Sequence, residues 1–405
     1  MDFPEFDFGT LRYRQHEGTG VYTESYECVK EDAYSAGVEA FLLAGFSVKE
    51  EYNMGPMKFS ALEKAGDAVF ISYFKDEEVL FLVTEPNTGY FAYSDKKREV
   101  KTTASLTQLD LSDFGLSYLI RLPDGRFIVI DGGFIYDVDS DNLLKRMKER
   151  AGGEDIVIAA WIMTHAHQDH YRCFISFMEK YSDEVTVEKF IYNFPDASED
   201  EYEPWPALKN DDEVAFLKRF YALVEKTGAP VYRAHTGQIY NVGDAKIEML
   251  GTPDDNENVP VRGFNYVSLV MKMTLAGQVI LFAGDRQFQH SMLVDLWKDY
   301  LKCDIMQIPH HGFHGGTMRF YEYADARVYF APTLHLDCYE KILKNYDFNL
   351  HVWFDREPDD YITGSFGDVT VDLPYFPAPE RKLQLKKYLE EHNVKREPTV
   401  ITSGI

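Results

Sequence analysis

The sequence predicts an α/β protein in which two β-sheets pack face to face with helices on their outer sides, preceded by a small α+β unit. Three observations carry this. Strand-like and helix-like stretches alternate from about Leu106 onward, the order that layered α/β architectures require. The run from Ile156 to Met163 is continuously apolar, as a strand covered on both faces must be. The chain also changes character near Ser94-Asp95-Lys96-Lys97-Arg98-Glu99, a charged stretch that reads as a linker. The expected division is a small α+β domain over residues 1–100, an α/β domain over 106–374 and a helical tail over 375–405.

In the first unit, Glu31 to Ala44 places Tyr34, Val38, Phe41 and Leu42 on one helical face, and Gly45 stops it. Met57 to Leu62, Ala68 to Phe74 and Val79 to Thr84 read as strands. Beyond the linker, Ser117 to Leu122 and Arg126 to Ile130 are apolar strands joined at Pro123-Asp124-Gly125, and Asp131-Gly132-Gly133 ends the second. Ser140 is expected to cap a helix ending at Gly152-Gly153. The buried strand then runs into a histidine motif, with a helix from Tyr171 to about Tyr181. Further strands are expected at Phe190–Phe194, Val231–Arg233, Gln238–Tyr240, Lys246–Leu250, Val267–Met273, Val279–Phe282 and Asp304–Ile308. Helices are expected at Asp212–Lys226, Gln289–Leu301 and Pro379–His392, the last as a solvated cap, and the acidic stretch Asp196 to Glu203 as an exposed insert.

Composition excludes several classes of function. The chain carries 45% hydrophobic and 15% aromatic residues, ample for a packed core and unlike disorder. With 42 basic against 67 acidic residues its net charge is −25. Such a field repels polyanions, so no broad nucleic-acid or membrane surface is expected. Cys28, Cys173, Cys303 and Cys338 are scattered, which suits reduced thiols and a cytoplasmic location. No stretch approaches the length of a membrane span or signal peptide.

Six of the 12 histidines fall in two short clusters. In Thr164-His165-Ala166-His167-Gln168-Asp169-His170, residues two apart on an extended chain point the same way. His165 and His167 can therefore grip one cation, with Asp169 and His170 reaching a second. Imidazole with carboxylate suits Zn²⁺, and also Mn²⁺ or Fe²⁺. The second cluster, Pro309-His310-His311-Gly312-Phe313-His314-Gly315-Gly316, again follows a strand. Between them, Phe282-Ala283-Gly284-Asp285 ends a strand in a carboxylate that can bridge two cations. His310 is the expected ligand because it lies nearest the strand end. His311 or His314 would then protonate a leaving group, and His310 and His311 can exchange roles.

These residues carry a family likeness. His165-x-His167-x-Asp169-His170, then Asp285, then His310 resembles the ligand series of the metallo-β-lactamase superfamily, and Asp131-Gly132-Gly133 matches its acidic turn. The likeness implies an αββα sandwich and covers about Leu106 to Pro374. Asn265-x-x-Ser268-Leu269-Val270, Leu281-Phe282-Ala283-Gly284-Asp285 and Pro309-His310-His311-Gly312 resemble the hydrolase domain of ComEC-type competence proteins, which implies nuclease chemistry. One departure is clear. The family's third histidine for the first metal is missing at Thr252-Pro253-Asp254-Asp255-Asn256, so Asp254 or Asp255 substitutes, His235 reaches in, or that metal is weak. Arg172, after His170, is either a contact for an anionic substrate or a helix-surface residue.

The expected function is hydrolysis by a hydroxide held between two divalent ions, Zn²⁺ first. Asp169 would orient the attacking water and His311 assist the leaving group. A small phosphodiester or other phosphate ester reconciles the likeness with the net charge. A lactone, lactam or thioester hydrolase on the same site is the alternative, as is a non-catalytic metal-binding scaffold or sensor. The first hundred residues carry no motif and are expected either to shape the rim or to mediate oligomerisation.

Overall fold

The fold was derived from a computed structural model that describes residues 6–18, 20–209, 213–332, 346–363, 367–391 and 393–394. Three sheets and their helices make up these residues. The first sheet holds β1 (Thr10–Gly18), β2 (Val21–Glu27), β3 (Ser47–Met54), β4 (Met57–Lys64), β5 (Asp67–Phe74) and β6 (Val79–Glu85). It is antiparallel in the order β1-β2-β6-β5-β4-β3. Successive side chains of a strand face opposite ways, and β5 uses both faces. Val69, Ile71 and Tyr73 pack with Tyr34 and Phe41 of α1 (Glu31–Leu43), whereas Ala68, Phe70 and Phe74 join the main core of the molecule. Three of these strands, β1, β2 and β3, were not expected. Their charged, exposed residues mask the apolar period, as is common where strands lie at or near a sheet edge.

The second sheet contains β7 (Ser105–Gln108), β8 (Ser117–Arg121), β9 (Phe127–Asp131), β10 (Ile156–Ile162), β11 (Val185–Val187), β12 (Phe190–Tyr192) and β13 (Val231–Arg233). The third contains β14 (Ile239–Val242), β15 (Ala245–Gly251), β16 (Val270–Leu275), β17 (Gln278–Phe282), β18 (Ile305–Gln307), β19 (Val328–Ala331) and β20 (Asp360–Thr363), while β21 (Val369–Asp372) returns to pair with β7. In β9, Ile128 and Ile130 face the third sheet, while Phe127 and Val129 face the helices. Those helices are α2 (Asp137–Ala151), α3 (Gln168–Tyr181) and α4 (Glu213–Thr227), which bury Leu143, Met147, Phe174, Phe177, Leu217 and Phe220. The mixed α/β sandwich with outer helices is therefore the fold, as expected. The β9–β10 and β17–β18 pairs are parallel, so the carboxyl ends of these strands within each sheet point the same way.

Several local expectations change. Tyr136, not Ser140, occupies the cap position of α2; the Ser140 hydroxyl is buried and donates to the Tyr136 and Asp137 carbonyls. The helix expected over Gln289–Leu301 is broken into α5 (Leu293–Trp297) flanked by 3-10 turns, with Lys298 at φ 44°. The acidic stretch at 196–203 is not simply an exposed insert. Glu201 is buried within 3.2 Å of His16, and the indole of Trp205 donates to the His16 carbonyl at 2.9 Å. Nor is Ser94–Glu99 a free linker, because Asp95 accepts two bonds from the buried Arg126 guanidinium and one from Lys189. His351 is buried and faces Asp355, while Cys338, His335 and His392 lie outside the described residues. The tail helix Pro379–Glu391 docks on β20 through Arg381 and Asp360 and buries Leu389. No described helix is long and apolar enough to cross a membrane.

Candidate metal centre

Four strand ends build the site. β9 ends at Asp131, β10 leads through Met163 and Thr164 to His165, β17 leads to Gly284 and Asp285, and β18 leads to His310 and His311. Strand ends are where a rigid sheet hands the chain to loops, and open α/β sheets gather ligands there. α3 begins at Gln168, earlier than expected, so Asp169 and His170 belong to its first turn. Gly284, at φ 50°, makes the turn possible: a Cβ there would lie 2.1 Å from the Ser268 hydroxyl oxygen, which accepts the Asp285 N–H at 3.0 Å.

Asp285 Oδ2 is the centre of the arrangement. It lies 3.2 Å from His170 Nε2, 3.2 Å from His311 Nε2, and 3.9 Å from both His165 Nε2 and His310 Nε2. Asp169 Oδ2 lies 3.1 Å from His311 Nε2 and 3.5 Å from His170 Nε2, and His165 Nε2 faces His167 Nδ1 at 3.0 Å. Two sets of converging donor atoms result, Asp169, His170, Asp285 and His311 in one and His165, His167 and Asp285 in the other, each within 4.8 Å. Asp285 belongs to both.

The surroundings prepare these rings as ligands. His170 Nδ1 lies 2.7 Å from Asp131 Oδ2, and His311 Nδ1 lies 2.7 Å from the Pro332 carbonyl oxygen. With the proton assigned to Nδ1 in each, Nε2 presents its lone pair to the centre. Asp131, itself at φ 55°, is fixed by the Thr164 N–H at 2.7 Å and the Thr164 hydroxyl at 2.6 Å. Burial, with His170 and His167 beside it, holds the His165 imidazole well below its ordinary pKa. Burial would raise the Asp285 carboxyl, but His170, His311 and His310 reverse that and keep it ionised. His170 Nε2 and Asp285 Oδ1 are buried without a hydrogen-bond partner, a costly state for polar atoms. Imidazole nitrogens and carboxylate oxygens at this spacing fit divalent cations.

Of the expected site residues, His165, His167, Asp169, His170 and Asp285 come together. His311 belongs to a donor set and His310 does not, which favours the exchange of roles between the two that the sequence leaves open. Both are left-handed, at φ 49° for His310 and 54° for His311. His310 Nε2 stays 3.9 Å from Asp285 Oδ2 and accepts from the Asn265 amide at 3.1 Å. His314 is exposed and faces the Tyr346 hydroxyl. Neither carboxylate of the Pro253-Asp254-Asp255 turn joins either set. Asp255 pairs with buried Arg286 at 2.8 Å, and Asp254 pairs with His235 at 2.9 Å. His235 is fully buried. Arg172 is held by Glu213 at 2.7 Å and stacks on Phe216. Asn265 and Ser268 were visible only as motif letters, and the Pro332 carbonyl leaves no sequence signal.

No curated protein sequence matches the chain. Among solved structures, it is similar to Zn²⁺-bound PqqB from Methylobacterium extorquens, with 9% identity over 65% of this chain and 90% of that one, at a TM-score of 0.39. It is also similar to the flavodiiron protein from Giardia intestinalis, with 12% identity over 74% of this chain and 60% of that one, at a TM-score of 0.29. The family model described as the Metallo-beta-lactamase superfamily matches residues 112–331. Since that match spans more than half of the 405 residues and includes every residue of both donor sets, the chain belongs to the metallo-β-lactamase superfamily.

Proposed function

We propose that the chain is a two-metal hydrolase acting on a small phosphodiester or other phosphate ester. The observation that carries this is the position of Asp285, whose carboxylate is common to both donor sets. His165, His167 and Asp285 would hold one cation, and Asp169, His170, Asp285 and His311 the other, with Zn²⁺ the first choice and Mn²⁺ or Fe²⁺ the alternatives. Such a pair supplies an activated water near neutral pH and polarises a phosphoryl oxygen. The chain's own residues would then do the rest. Asp169, held against His311, orients the water; His310, whose Nε2 accepts from the Asn265 amide at 3.1 Å, stands beside the centre as a positioning residue, and the leaving-group oxygen takes its proton from solvent. His311, first read as the leaving-group acid, takes the ligand role. Kinship with ComEC-type hydrolases is part of the proposal, supported by the work done by two residues of that motif, since Asn265 holds His310 and Ser268 holds Asp285. The net charge of −25 favours a short substrate over long nucleic acid.

The test is metal content together with hydrolysis of bis(p-nitrophenyl) phosphate by the full chain and three variants. Two equivalents of metal are expected in the parent, with large losses in Asp285→Asn and His311→Ala. His310→Ala should keep its metal and lose about tenfold in kcat/KM, on the order of one lost positioning contact. Protein that neither carries metal nor takes it up would overturn the proposal and favour a scaffold. Loaded protein that cleaves only lactones or thioesters would move the substrate class.

A further inference from the structure

The residues that fail to complete the first metal set converge with a third partner elsewhere. Donor atoms of Glu17, His235 and Asp254 lie within 4.8 Å of one another, and all three side chains are fully or almost fully buried. They come from different parts of the molecule: Glu17 from β1, His235 from the loop after β13, and Asp254 from the turn after β15. His235 Nδ1 lies 2.9 Å from Asp254 Oδ1 and 3.7 Å from Glu17 Oε2. A cation bound at about 2.0–2.2 Å by such donors sets neighbouring ligand atoms roughly 3–3.5 Å apart, and the two distances bracket that spacing.

The surroundings resemble a finished coordination shell. Glu17 accepts from the Asn193 amide at 2.7 Å and from the Thr23 hydroxyl. Asp254 Oδ2 accepts the Thr236 N–H at 2.6 Å. On the far side of the ring, His235 Nε2 faces Glu85 Oε2 at 3.7 Å, and both atoms are buried without a hydrogen-bond partner. A metal-bound histidine commonly turns its other ring N–H to a carboxylate in this way. With the imidazole neutral and all three carboxylates ionised, the cluster would carry a buried negative excess that Arg233, bonded to the Glu17 carbonyl at 2.7 Å, offsets by one charge, so either a cation or added protons must balance it.

We propose that Glu17, His235 and Asp254 form a mononuclear site for Zn²⁺ or Mn²⁺, a structural clamp joining the amino-terminal sheet to the sandwich, with Glu85 orienting His235. The site shares no residue with either donor set of the candidate metal centre, and its existence does not depend on what that centre hydrolyses. The competing state is a proton on His235 with a second shared among the carboxylates.

The experiment uses the full chain with His167→Ala, His170→Ala and Asp285→Ala, which dismantles the other centre. Metal is counted by mass spectrometry after chelator-free purification and again after dialysis against Zn²⁺ or Mn²⁺. About one equivalent is expected, falling at least tenfold when Glu17→Gln is added. No equivalent before or after dialysis overturns the proposal, as does an equivalent that survives Glu17→Gln. Should Glu17→Gln fail to fold, Glu85→Gln decides. It touches only the outer side of His235 and should weaken uptake by about 10- to 100-fold; unchanged uptake sinks the clamp.

Discussion

Asp131 belongs to neither donor set, yet one of its carboxylate oxygens fixes the His170 ring and both hold Thr164. Losing the charge while keeping the shape isolates that role. Asp131→Asn is expected to lower metal affinity by about 10- to 100-fold, the usual cost of an outer partner, read by competition with a chromophoric chelator. Unchanged affinity would mean that the His170 tautomer is set elsewhere. At this scale the sequence was readable wherever spacing alone fixes direction. His165 and His167, two apart after a strand, share a face whatever lies around them. His310 and His311 were not separable, because consecutive left-handed residues reverse the side that each presents. The cluster of His235 and Asp254 was not visible for another reason: Glu17, which completes it, lies more than 200 positions away in the chain.

Elements supply rigidity to that geometry, and the turn after β17 is the most constrained of them. Gly284 combines φ 50° with a Cβ path blocked by the Ser268 hydroxyl at 2.1 Å and by Thr164 at 3.1 Å. Gly284→Ala should therefore move Asp285 away from its four histidines and destabilise the fold by on the order of 2 kcal/mol. Denaturant unfolding and metal stoichiometry on the same preparation check both effects; a variant with parental stability and full metal would show that the turn is slack. The central strands were legible because burial on both faces leaves continuous apolar runs, as in β5 and β10. The strands β1 and β3 were not, since their outward residues are charged. The helix expected near Gln289 failed because apolar period says nothing of a local break at Lys298.

On the scale of the molecule, the first sheet is not an appendage. One of its faces belongs to the main core, and the segment after it is pinned by a buried ion network. Burial alone would raise the Asp95 carboxyl, but Arg126 and Lys189 pull it down to about 2. A depressed carboxyl contributes stability above its unfolded value of about 3.9, and that contribution fades as pH falls through about 2. Asp95→Ala leaves Arg126 with a partner fewer in a buried setting. It should cost about 3 kcal/mol near neutral pH, with the gap from the parent narrowing on acidification. Chemical denaturation at pH 7 and at low pH tests this, and equal stabilities at pH 7 would refute it. The division at residue 100 followed from composition, which registers a charged stretch but not the buried guanidinium that it serves.

The donors of the candidate metal centre span the chain from His165 to His311. During synthesis, a nascent chain that has released only its first histidine motif still lacks the carboxylate common to both sets and the last imidazole. On the two-metal reading proposed above, stable capture of the ions would wait until the third sheet has left the ribosome and closed on the second. Loading would in this sense be a late checkpoint, reporting that both halves have been made and have met.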